Sequence, residues 1–163
     1  MTAEDLKVAL RGDREVVHTR VFEAPRARVF AAFTEPDLLR RWYGPQGWTL
    51  VVCEIDLRVG GQWRFVTRQP SGREIVQFGV FTEIVEPERI AKTERWLDWD
   101  PGEVLVTIEL TERAGRTTLV STTRYPSKQV RDQLLAAGAD RGASEHYDKL
   151  AAMLDADITR SAI

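Results

Sequence analysis

The chain has 163 residues, 43% hydrophobic and 29% charged, with a formal net charge of −2. That length suits one domain able to bury roughly two-thirds of its unfolded surface; the charge lacks the basic footprint of a nucleic-acid partner, and no apolar run is long enough to span a membrane. A single cysteine, Cys53, excludes an internal disulfide and fits a reducing compartment, and with no basic-then-apolar opening segment to act as a secretory signal the cytoplasm is the expected location.

Residues 1–13 are charged and weakly patterned and read as an N-terminal tail. From Arg14 to Glu23, Val17, Thr19 and Val21 alternate with His18, Arg20 and Phe22, the period of a strand. Ala24-Pro25 ends it, and Pro25 suits the start of a helix whose apolar face is Val29, Phe30 and Phe33. Thr34-Glu35-Pro36 breaks that helix. A second short one carries Leu38, Leu39 and Trp42 and stops at Gly44-Pro45.

A meander follows. Trp48 to Leu57 places Val51, Cys53, Ile55 and Leu57 on one face. Gly60-Gly61 turns the chain into Gln62 to Arg68, with Trp63 and Phe65 on one side. Pro70-Ser71-Gly72 is a hairpin turn, and in Glu74 to Val85 the row Val76, Phe78, Val80 alternates with Gln77, Gly79, Phe81. Glu86-Pro87-Glu88 leads into Ile90 to Leu97. Asp100-Pro101-Gly102 precedes the row Val104, Val106, Ile108 and Leu110, and Ala114-Gly115 turns into Arg116 to Tyr125. Seven strands joined by turns this short pair antiparallel, since parallel neighbours need long crossovers.

Pro126 ends the last strand, and Ser127 stands where a hydroxyl caps a helix. Ser127 to Ala156 carries Val130, Leu134, Ala137, Tyr147, Leu150 and Leu154 at helical spacing. Gly138 and Gly142 each cost about 1 kcal/mol inside a helix, so a break is expected there, with a firm second half from about Ala143. Leu150→Ala, on the stripe, is expected to cost about 2–5 kcal/mol. Asp148→Ala, on the polar face, is expected within about half a kcal/mol of neutral. The resulting expectation is an α+β fold: one domain over residues 14–156, with a seven-stranded curved antiparallel sheet wrapped around a long C-terminal helix, two short helices after the first strand, and a C-terminal tail at 157–163. Sheet and helix cannot close along their whole length, which leaves room for a cavity of the kind that takes small apolar ligands.

Chemistry is sparse. His18 and His146 fit no metal-binding spacing, and no nucleophile elbow, phosphate loop or dinucleotide fingerprint occurs. Cys53 lies in an apolar strand row, where a thiol is ordinarily buried and inert. Asp98, Asp100 and Glu103 around Trp99 read as a solvated acidic loop, and Arg26, Arg28, Arg40 and Arg41 as exposed helix faces. No catalytic residue, cofactor or metal is assigned. The candidate lining of the cavity is aromatic: Trp42, Trp63, Phe65, Phe78 and Trp96. Tyr125 and His146 are candidate polar anchors, and whichever of Glu94 and Arg95 points inward needs a partner.

Val21-Phe22-Glu23-Ala24-Pro25 with Val29-Phe30-Ala31-Ala32-Phe33-Thr34-Glu35-Pro36 resembles the opening of helix-grip (START-like, SRPBCC) domains. Leu38-Leu39-Arg40-Arg41-Trp42-Tyr43-Gly44-Pro45, Asp56-Leu57-Arg58-Val59-Gly60-Gly61-Gln62-Trp63-Arg64-Phe65, the stretch Gly79 to Ile90 and the closing Tyr147-Asp148-Lys149-Leu150 are similar to the branch named after the activator of the ninety-kilodalton heat-shock chaperone's ATPase. The resemblance spans roughly Arg14 to Asp155 and implies a sheet gripping the C-terminal helix with a ligand cavity between. At Ala139 and Ala143 relatives often carry bulkier residues, so inward-facing alanines would leave more room here. The family holds binders, cyclases and co-chaperones, so fold alone does not select a function. The first reading is binding of a small hydrophobic or aromatic molecule without chemistry. A cyclase- or hydrolase-type enzyme using the same cavity and a co-chaperone-like interaction domain are the alternatives, and a homodimer stays open. The missing acid–base pair weighs against the enzyme, and the presence of a single domain against the co-chaperone.

Overall fold

The computed structural model describes residues 5–161, with side chains described through Asp157. Its elements follow the proline and glycine punctuation: β1 (Lys7–Arg11), β2 (Glu15–Phe22), α1 (Arg26–Thr34), α2 (Pro36–Trp42), β3 (Thr49–Ile55), β4 (Gln62–Arg68), β5 (Glu74–Val85), β6 (Arg89–Trp96), β7 (Val104–Arg113), β8 (Arg116–Arg124), α3 (Lys128–Ala136) and α4 (Ala139–Ser161). The strands form one antiparallel sheet in the order β1-β2-β8-β7-β6-β5-β4-β3. Among the described residues no helix is long and apolar enough to cross a membrane.

The sheet thus has eight strands where seven are expected. The extra one, β1, comes from the stretch read as a tail. All five of its side chains are exposed, so it presents no buried row for a period-two pattern to reveal. Backbone pairing with β2 across a turn at Gly12 (φ +59°) holds it, with Arg11 Nε donating to Glu15 Oε1 at 2.8 Å. At the other terminus the helix runs on through Ser161, beyond Ala156 and into the expected tail. Arg41 makes a bidentate pair with Asp157 at 2.8 and 3.2 Å, and Arg28 lies 3.8 Å from the same carboxylate. These arginines of the short helices therefore tie α1 and α2 to the end of α4.

The long helical segment divides more sharply than expected. Ser127 Oγ accepts from Val130 N at 3.2 Å and caps α3, whereas Gly138, at φ +92°, separates the two helices. Only glycine enters that region without strain. Gly142 lies inside α4 and does not break it. The sheet bends at register shifts between Leu50 and Val52 on β3 and between Phe81 and Glu83 on β5, as bulges do. The bulge on β3 explains why Leu50 and Cys53, three apart, are both buried.

The core lies between the inner sheet face and the helices, with Tyr147, Leu150, Met153 and Leu154 of α4 at its centre. Leu150 is fully buried. Asp148, on the opposite face, is not idle: Arg20 Nη1 of β2 donates to its Oδ1 at 2.7 Å, and the Arg20 side chain is 2% exposed. β2 buries Val16, Arg20 and Phe22 on the face that also carries His18, so an arginine stands between apolar side chains and the helix supplies its counter-charge.

Candidate functional site

Between the inner sheet face and the α3–α4 junction the packing opens into a chamber of about 470 Å³. It exists because the helix is thin there. Ala137, Gly138, Ala139, Gly142 and Ala143 all face it, with no side chain larger than a methyl group. Both alanines whose orientation sequence could not fix therefore point inward. The remaining wall is mainly apolar and aromatic, with Phe33, Leu39, Trp48, Phe65, Trp96 and Ile108 prominent.

The candidate residues divide. Phe65, Trp96, Tyr125 and His146 line the chamber. Trp42 does not: it is completely buried beneath α2, its Nε1 donating to Ala32 O at 2.9 Å, with its ring edge-on to Phe33 and His146. Trp63 is also core. Its indole lies across β5 and donates to Thr93 O at 3.0 Å. That crossing requires Gly79, where a Cβ would collide with the Thr93 carbonyl oxygen and sit 2.8 Å from the indole nitrogen.

Phe78 is on the wrong side of the sheet. With Val80, Arg64 and Arg95 it lines a depression of about 860 Å³ on the outer face. The inner row of β5 is Gln77, Gly79 and Phe81, because the Trp63 indole needs the glycine and the chamber polar groups need the glutamine. An apolar-inward rule selects the opposite row. The outer depression is the larger space, but its charges already answer one another: Arg64 with Glu54 at 3.1 Å, Arg58 with Asp56 at 2.8 Å, and Arg95 with Asp100 at 2.8 Å and Glu103 at 3.9 Å. It is a solvated, ion-paired surface. Those last two pairs set the single Arg95 charge against two of the three acids in the loop around Trp99.

Inside the chamber the polar groups converge from three elements. On β6 the inward row is Ile90, Lys92, Glu94 and Trp96, while Arg95 points out. Glu94 Oε1 accepts from Gln77 Nε2 at 2.9 Å, and Gln77 Oε1 accepts from the Tyr43 hydroxyl at 3.3 Å. Lys92 Nζ sits 4.1 Å from the Trp63 ring centroid and 5.3 Å from that of Phe65, a cation over aromatic faces. Burial lowers the Lys92 pKa against the opposing pull of Glu94, and burial raises that of Glu94 against Lys92 and the Gln77 hydrogen bond. Each is thus pushed toward its neutral form.

His146 is fixed differently. Its Nδ1 accepts from Gly44 N at 3.0 Å, which leaves Nε2 to carry the proton, and burial drives its pKa down to about 3. Burial likewise raises the Tyr125 hydroxyl to about 12 and pushes Tyr43 well above its usual range. At the chamber edge His18 Nε2 lies 2.9 Å from Asp140 Oδ1. The chamber therefore holds neutral donors and acceptors, one amine and one carboxyl group, set in aromatic walls. Among the described residues no three His, Cys, Asp or Glu side chains are grouped to hold a metal ion. Sequence reasoning missed Lys92, Gln77 and Tyr43. The available signal was the pairing of Ile90 with Trp96 at the two ends of a row whose middle is charged.

Comparison with known proteins agrees with this architecture. Residues 23–155 match the family described as activator of Hsp90 ATPase homolog 1-like protein. No curated protein matches the sequence. A crystal structure of a protein from Rhodobacter sphaeroides is similar at 29% identity and TM-score 0.88, covering 94% of this chain and 99% of that one. One from Chromobacterium violaceum is similar at 26% identity and TM-score 0.74, covering 88% and 98%. The AHSA1 protein from Silicibacter pomeroyi, at 23% identity and TM-score 0.73 over 88% and 99%, shares the fold.

Proposed function

The chain belongs to the activator of Hsp90 ATPase homolog 1-like family, and from that premise we propose that it binds a small hydrophobic or aromatic molecule in the chamber between the sheet and α4. The supporting observation is the chamber itself, about 470 Å³ with mainly apolar walls and a few convergent polar groups, the usual make-up of a small-molecule site. The small residues of α4 leave this volume open where larger side chains would fill it.

A neutral fluorescent probe, N-phenyl-1-naphthylamine, tests the proposal. Wild-type protein takes it up at low-micromolar affinity, with quenching of Trp96, and binding raises the melting temperature by mass action. Ala143→Trp places an indole in the chamber and abolishes uptake while the fold persists, because filling open space strains less than overfilling a dense core. Phe78→Trp serves as the control, since that side chain lies on the outer face and leaves uptake unchanged. Absence of probe uptake, with an unchanged melting temperature across a broad ligand panel, overturns the reading and brings a surface-interaction role, of the kind the family description names for a chaperone ATPase, to the front.

A further inference from the structure

Among the described residues, Arg20, His18 and Glu94 face inward with a hydrogen-bonding side-chain partner, and Lys92 faces inward without one. Arg20 has Asp148 at 2.7 Å, His18 has Asp140 at 2.9 Å, and Glu94 has the Gln77 amide at 2.9 Å. Lys92 has two ring faces, Trp63 and Phe65, and among the described residues no carboxylate within ion-pair distance. Glu94 is two residues away on the same inward row, yet its oxygen is turned to Gln77. The rings hold the amine in place but cannot neutralise it. Burial presses the amine toward its neutral form, so its charged form is costly there without a counter-ion, and an anion brought to it recovers much of that cost and restores the proton.

Building on the proposed function, we infer that the chamber's ligand is a monoanionic amphipath, an apolar body bearing one carboxylate that pairs with Lys92. The aromatic walls take the body. The neighbouring groups favour an anion at this end. His146 keeps a proton on Nε2 because Nδ1 is engaged by Gly44 N, and Tyr125 remains a hydroxyl donor. Two acids would oppose a carboxylate: Asp140, at the chamber edge, lies 2.9 Å from His18 Nε2, and Glu94 already accepts from Gln77 while burial presses it toward its neutral form.

A matched series separates this inference from the reading beneath it: naphthalene-2-carboxylate, 2-naphthylmethanol and 2-naphthylmethylamine, each titrated against bound N-phenyl-1-naphthylamine. The carboxylate is expected to bind at least about tenfold tighter than the alcohol, the scale of a charge-assisted hydrogen bond, and the amine weakest. Lys92→Met should erase that advantage and leave the affinity for the alcohol unchanged. Lys92→Gln provides the same comparison if the methionine variant fails to fold. Glu94→Gln should keep or strengthen carboxylate binding. Equal affinities for carboxylate and alcohol in the wild type, or carboxylate binding unaffected by loss of Lys92, overturn the inference while the chamber reading stands. A wild-type protein that takes up neither the neutral probe nor any of the three overturns both.

Discussion

Replacing Asp148 by alanine should destabilise the protein by about 2 kcal/mol, although the residue lies on the solvent face of its helix. The reason is its partner. Arg20 is 2% exposed, its Nη1 donates to Asp148 Oδ1 at 2.7 Å, and its Nε has no hydrogen-bond partner among the described residues. Two unit charges about 4 Å apart attract by about 4 kcal/mol at an effective dielectric of 20. Asp148 is 58% exposed, so water screens one end and the net value falls below that. Fully exposed pairs are worth about 0–1 kcal/mol, whereas stripping the partner from a buried charge costs about 3–5 kcal/mol. The geometry here lies between those limits. A double-mutant cycle with Arg20→Met, followed by urea denaturation, isolates the coupling. Asp148→Ala should cost about 2 kcal/mol in the wild-type background and under about half a kcal/mol once the arginine is gone. Equal costs in both backgrounds, or an Asp148→Ala midpoint indistinguishable from wild type, would refute the reasoning and return Asp148 to the neutral role its helical position suggests.

Leu150→Ala, at a side chain with no exposure, should lower stability by about 2–5 kcal/mol in the same assay, as core leucine truncations do. His146 is buried neutral with a pKa lowered to about 3; the unfolded chain takes up its proton near pH 6.5, so stability contributed above that value is lost as the pH falls from about 6.5 toward 3, with a slope of up to about 1.4 kcal/mol per unit. Denaturation midpoints measured across that range should show a flatter slope in His146→Gln. The Cys53 thiol, 6% exposed and raised by burial to about 11, should resist a thiol reagent at pH 8 in the native state and react at the rate of global opening, so labelling that is fast without denaturant would contradict its placement.

Most of the strands and both short helices were legible in sequence because prolines and glycines bound each one and a buried row runs through it. The row Val104, Val106, Ile108 and Leu110 is inward as read, with Val104, Ile108 and Leu110 buried. β1 was not legible, since pairing alone holds it. The phase of β5 was misread because Gln77 and Gly79 look like surface residues until Trp63 is placed opposite Gly79 and the Glu94 carboxylate within reach of the Gln77 amide. The aromatic wall was half legible: Phe65 and Trp96 line the chamber, whereas Trp42 and Trp63 spend their indole nitrogens on backbone carbonyls in the core. Lys92 looks like a surface lysine in a strand, and only the inward parity fixed by Ile90 and Trp96 reveals otherwise.

Along α4, capacity and cohesion are assigned to different turns. Ala139, Gly142, Ala143 and His146 face the chamber, and residues 147–154 carry Tyr147, Leu150, Met153 and Leu154 into the core, with Tyr147 touching both. A change at Ala139 or Ala143 therefore alters what the molecule can hold while the later turns keep the sheet clamped to the helix. Selectivity in such a scaffold can drift, or be redesigned, one alanine at a time, with folding insulated from the search.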